Sequence, residues 1–135
     1  MTTVFVRRSL AAVLAGTLIA ALGAGLAAHH AFSAEFDANK PVKLKGTVSR
    51  VEWVNPHVWI HIQVIRDNGK AEEWMIEGGT PNALFRRGIT RDSLKPGTGL
   101  VVVGFQAKDG STRANGRDLT LTDGRKLFLG SSAPP

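Results

Sequence analysis

Residues 57–66, HVWIHIQVIR, carry an aliphatic side chain at every second position from Val58 to Val64. Val58, Ile60, Ile62 and Val64 fall on one face, and His57, Trp59, His61 and Gln63 on the other. Side chains of a strand point to opposite faces with period two, so the run predicts a strand with one buried face. Asn55-Pro56 before it and Asp67-Asn68-Gly69-Lys70 after it are turn signals. A strand bounded so tightly needs antiparallel partners, and the flanking segments supply them.

KLKGTVSRVEWV, residues 43–54, keeps strand periodicity through Val48 and slips near Arg50-Val51. A slip and Gly46 inside one long strand predict a bulge and strong coiling. AEEWMIE, residues 71–77, predicts a third strand, with Trp74 and Ile76 on one face. Glu73 and Glu77 share the other face with Met75, and that face reads as solvated. In GGTPNALFRRG, residues 78–88, Thr80 suits the N-cap, Pro81 the first helical position and Gly88 the position after the helix. Arg86 and Arg87 stand at the negative end of the dipole of this short helix. Lys95-Pro96-Gly97 is a turn, and LVVVGFQA, residues 100–107, is a fourth strand. KDGSTRANG, residues 108–116, reads as a flexible loop before a fifth strand, RDLTL at 117–121. Asp123-Gly124 then turns the chain into RKLFL, residues 125–129. The predicted class is all-β with little α: a five-stranded OB-like antiparallel barrel with a short helix between strands 3 and 4. A plain antiparallel sandwich is the alternative, and it leaves the helix without a place.

The first 28 residues do not belong to this pattern. Arg7 and Arg8, the apolar stretch Leu10 to Leu22 and the small residues Gly23 to Ala28 have the layout of a helical signal peptide. Cleavage is expected after Ala27 or Ala28, and the protein is expected to be periplasmic or secreted. The rival reading keeps Ser9 to Ala28 as an uncleaved anchor of about 20 residues, and only then is a membrane a partner. The expected division is signal peptide 1–28, N-terminal arm 29–41, barrel domain 42–129 and disordered tail 130–135. Cleavage leaves about 107 residues, enough for one small domain. With no cysteine, neither disulfides nor a lipid anchor is available. Arg7 and Arg8 leave with the leader, so fifteen basic residues stand against eleven acidic ones.

AHHAFSAEFDANKPVKLKGTV, VEWVNPHVWIHIQV, PNALFRRGITRDSLKPG and AKDGSTRANGRDLTLTDGRKLF together resemble an uncharacterised family of exported bacterial proteins, a domain of unknown function. The markers are His-His-x-Phe-x-x-Glu-Phe-Asp and Asn-Pro-His-x-Trp-Ile, and the likeness runs from His29 to about Phe128. The layout also resembles, more loosely, periplasmic OB-fold proteins of envelope stress responses, a likeness of fold alone.

Four histidines carry the chemistry that the sequence offers. A chain beginning at His29 has an amine and an imidazole on one residue, which chelate copper and resemble a histidine brace. A chain beginning at Ala28 places a histidine third, which resembles the amino-terminal copper- and nickel-binding tripeptide and suits a square-planar ion. The candidate metal ligands are thus His29 and His30, with help from His57 or His61. On one strand face His57 and His61 stand roughly 13 Å apart and should not share one ion. The competing reading is a solvated arm and ordinary polar-face histidines. Trp59, Trp53 and Asn55 are the candidate partner-binding residues, for an unknown protein, peptide or glycan of the envelope. Trp59 faces away from the apolar side of its strand, and Phe32 or Phe36 of the arm is expected to cover it. Trp74, Lys43, Lys45, Arg86 and Arg87 complete the residue types of a single-strand binder, but export and the modest charge argue against nucleic acid. No cysteine nucleophile, G-x-S-x-G, H-E-x-x-H or phosphate loop occurs. The expectation is a binding module rather than an enzyme, with a copper-dependent oxidase or oxygenase as the enzymatic alternative.

Overall fold

The computed structural model describes residues 32–130. The leader, His29, His30 and the tail beyond Gly130 lie outside them. Six strands form one sheet: β1 (Phe36–Glu52), β2 (Trp59–Ile65), β3 (Ala71–Glu77), β4 (Gly99–Ala107), β5 (Arg113–Leu121) and β6 (Lys126–Phe128). A short helix, α1 (Pro81–Arg86), and a 3₁₀ turn (Arg91–Leu94) lie between β3 and β4. The sheet order is β3-β2-β1-β4-β5-β6, and β3 also pairs with β5. That last pairing is parallel, while all the others are antiparallel. Five strands therefore close into a ring, β1-β2-β3-β5-β4 and back to β1, and β6 extends β5 as a hairpin.

The alternation predicted for β2 holds. Val58, Ile60, Ile62 and Val64 are buried with Trp74 and Ile76 of β3 in the main core. Leu44 and Val48 of β1 and Leu100 and Val102 of β4 join them. The β1–β2 register slips between Val48 and Arg50, at the predicted bulge. Thr80 caps α1, its Oγ1 accepting from the Ala83 amide at 3.2 Å, with Pro81 at the first position. Gly88 follows at φ +79°, a conformation that glycine adopts without strain. The helix sends Leu84 into the core, and the connection to β4 adds Ile89 and Leu94.

Three predicted boundaries change. β1 begins at Phe36, so half of the expected arm is strand: Phe36 pairs with Ala107 and Pro41 with Phe105. β2 begins at Trp59, leaving His57 in the preceding turn rather than on the strand. Residues 113–116 are strand, not loop: Met75 pairs with Arg113 and Glu77 with Asn115, while Phe105 pairs with Asn115 from the other side. Gly116 suits this crowded line because a Cβ there would stand 2.6 Å from Leu129 Cδ1 and 2.7 Å from Ile76 Cγ2.

A second, smaller core lies on the outer side of the sheet. Residues 32–35 are helical, and Phe32 and Phe36 are buried against Ala107 and Phe105. The Phe32 ring meets Phe105 edge-on at 5.7 Å and Phe36 at 5.9 Å. The two arm phenylalanines do dock onto the domain, four residues apart as a helical turn requires.

Candidate functional site

The polar residues of β2 and β3 gather on the outer face beside the docked arm. The register brings Trp59 opposite Glu77 and His61 opposite Met75, with Glu52 and Arg50 across from them on β1. Because β5 pairs with the other edge of β3, Arg113 and Asn115 continue the face. Two groups form, one around each histidine.

In the first group Glu77, only 7% exposed, is the centre. One carboxylate oxygen takes a hydrogen bond from His57 Nδ1. The other accepts from Asn115 Nδ2 at 3.1 Å, and Asn115 is fully buried. An ionised carboxylate only accepts, so the shared proton sits on His57 Nδ1, and in the neutral ring the lone pair is then on Nε2. The His57 side chain is 32% exposed, so the ring is oriented from below while its edge reaches the surface. Asn115 Oδ1 is buried and has no hydrogen-bond partner among the described residues. The expected solvated face is thus corrected at Glu77: Asn115 of β5 and His57 stand against the side chain that alternation alone sends outward.

In the second group His61 has no exposed surface, although it too points outward. Its Nδ1 is 3.2 Å from Glu73 Oε1, and its Nε2 is 3.0 Å from Glu52 Oε1. The second approach lacks hydrogen-bond geometry, so Nε2 is buried without a hydrogen-bond partner among the described residues. Arg50 stands 3.3 Å from both carboxylates and links them over the ring. The Glu73 carboxyl is held below its ordinary range, first by the hydrogen bond from His61 and then, against some desolvation, by Arg50. With a carboxylate at each nitrogen, His61 presents no open ligand atom.

Trp59 is half-buried between the two groups. The group over its ring is the Arg113 guanidinium, 5.5 Å from the centroid, rather than either arm phenylalanine. Arg113 also binds Glu35 of the arm at 2.8 Å. The other two candidate partner-binding residues lie apart from Trp59. Asn55 is exposed in the turn, and Trp53 stacks on Phe85 of α1 at 5.3 Å. Among the described residues, no group of three or more His, Asp or Glu side chains is placed to hold a metal ion. Sequence reasoning missed Glu77, Asn115, Glu52, Glu73 and Arg113 as parts of this face. The alternation of β3 was the available signal for Glu73 and Glu77; Asn115 and Arg113 sat in a segment that reads as loop.

No curated protein and no solved structure matches the chain. A family model described as a family of unknown function, DUF6152, matches residues 16–116, and the chain belongs to that family.

Proposed function

We propose that the chain is an exported binding module, with an OB-like barrel as scaffold and copper, taken up through His29 and His30, as ligand. The strand circuit β1-β2-β3-β5-β4 with α1 between β3 and β4 supports the OB-like reading, because it is the plan of that fold. The leader-like residues 1–28 support export to the periplasm or beyond.

The observation that carries the ligand is the grip of Glu77 on His57. A carboxylate on one ring nitrogen fixes the tautomer and raises the basicity of the other, as in histidines that ligate metals. The arm that bears His29 and His30 is fastened to the same face, through Phe32 and through Glu35 to Arg113 over Trp59. His30 precedes Phe32 by two residues, which limits its reach from that anchor to roughly 7 Å. His57 is therefore the ring to complete an amine-and-imidazole chelate, and His61 is not, being enclosed by Glu52 and Glu73. Imidazole and amine nitrogens suit Cu(II).

Copper titration of the exported protein tests this reading. His57→Ala and a chain extended by one residue at its N-terminus should each bind copper more weakly. Glu77→Gln should lose about 10- to 100-fold in affinity, the usual effect of removing such a support. Equal uptake by all forms overturns the reading. The second reading is an accessory envelope protein that holds a protein, peptide or glycan through Trp59 without metal. It rests on Trp59 being half-buried between charged neighbours, and it gains if Trp59→Ala alone abolishes capture of an envelope component.

A further inference from the structure

The end of the molecule built from α1, the 3₁₀ turn and β6 differs from the rest in charge and in exposed apolar surface. Eight arginines are described. Arg50, Arg66, Arg113, Arg117 and Arg125 each stand beside a carboxylate. Arg86, Arg87 and Arg91 do not, and all three belong to this end. Its aspartates Asp92 and Asp123, and Asp118 across from Phe128, are held by Lys95, Arg125 and Arg117 at 3.0, 2.7 and 2.9 Å. That leaves Arg86, Arg87, Arg91 and Lys126 uncompensated. Residues 32–130 carry fifteen basic and eleven acidic side chains, so these four equal the whole net charge of the described chain.

The same end concentrates the exposed hydrophobics. Val54, Phe85 and Phe128 are each more than two-fifths exposed, and the fourth such residue, Ile65, lies away at the β2–β3 hairpin. Phe85 and Phe128 stand with two of the arginines, and Val54 follows Trp53 in the chain. Trp53 stacks on Phe85 and has Arg91 at 5.5 Å, while Arg87 lies 4.6 Å over the Phe128 ring. Gly79 donates to the Leu129 carbonyl at 2.8 Å, which ties the start of α1 to the end of β6.

We propose that this end docks on an anionic lipid bilayer, with Arg86, Arg87 and Arg91 at the headgroups and Phe85, Phe128 and Val54 at the acyl boundary. Basic clusters are drawn to anionic lipid surfaces, and aromatic rings settle at the boundary. Nucleic acid fits less well, because base stacking needs open ring faces. Here Trp53 already faces Phe85, and Phe128 already faces Arg87. None of these residues belongs to the His57–Glu77 group, so the test does not depend on copper.

The experiment is co-sedimentation of the full chain with phosphatidylcholine vesicles, with and without phosphatidylglycerol, over a range of salt. Binding through the apolar residues 9–28 appears with both vesicles and drops out of the difference. The anionic preference should fall with salt. Removing two charges by Arg86→Ser with Arg91→Ser should weaken it about 25-fold, roughly fivefold for each charge. Lys43→Ser with Lys45→Ser removes the same charge from β1 and should change it little. Phe85→Ser should weaken binding and leave the salt dependence intact, with thermal melts confirming that each variant folds. Equal binding to both vesicles overturns the proposal, as does equal loss in the two double variants. Tighter binding to a single-stranded oligonucleotide, lost with Arg86 and Arg91, overturns it in favour of nucleic acid.

Discussion

Glu77 stands in the sequence as one of three similar acids in AEEWMIE, yet it alone is buried among the polar residues of β3. Period-two alternation assigns it correctly to the face away from Trp74 and Ile76. What alternation does not report is whether something lies over that face. Asn115 and His57 are 38 and 20 residues away in sequence, so no local pattern announces them. The same reasoning separates His57 from His61. They look alike in HVWIH, but one is gripped by a single carboxylate and the other is enclosed by two. Replacing Glu77 by alanine frees His57 and leaves the buried Asn115 amide with neither side paired. Hydrogen bonds to charged groups contribute about 1.5–3 kcal/mol. Glu77→Ala should therefore lose about 2–3 kcal/mol, read from the urea midpoint at an unchanged slope.

At the scale of elements, the signals tied to local backbone chemistry served well. Thr80, Pro81 and Gly88 delimit α1 because capping, a fixed φ and a left-handed turn are properties of single residues. Thr80→Ala removes the acceptor for the Ala83 amide and should lower stability by about 1 kcal/mol in denaturant unfolding. Elements held by distant partners were less legible. Residues 113–116 carry Arg, Ala, Asn and Gly, none of them a strong strand former. They are strand because β3 and β4 both pair with them. Phe36 to Pro41 likewise reads as an arm until β4 lies alongside it. The 3₁₀ turn at Arg91–Leu94 gave no periodic signal, since four residues are too few to show one.

For the molecule as a whole, acid should find its weak points in a few carboxylates. Glu73 is held below its ordinary range chiefly by its hydrogen bond with His61. Asp109 and Asp123 are held down mainly by hydrogen bonds from Ser111 and Arg125. A carboxyl that is more acidic folded than unfolded stabilises fully above its unfolded value and loses that contribution as pH falls toward its folded one. Melting temperature should therefore be level in these groups above pH 4.5, the ordinary glutamate value, and decline below it. Thermal melts at stepped pH measure the onset. The five-strand ring has a further consequence in time. β1 needs both β2 and β4, and the ring is complete only when β5 meets β3, some 38 residues further along the chain. Pairings so far apart make folding slow, because loops must close before contacts reward them. A chain emerging from its N-terminus stays open until nearly its last strand has appeared, and such a chain passes through a narrow channel more readily than one that folds as it goes.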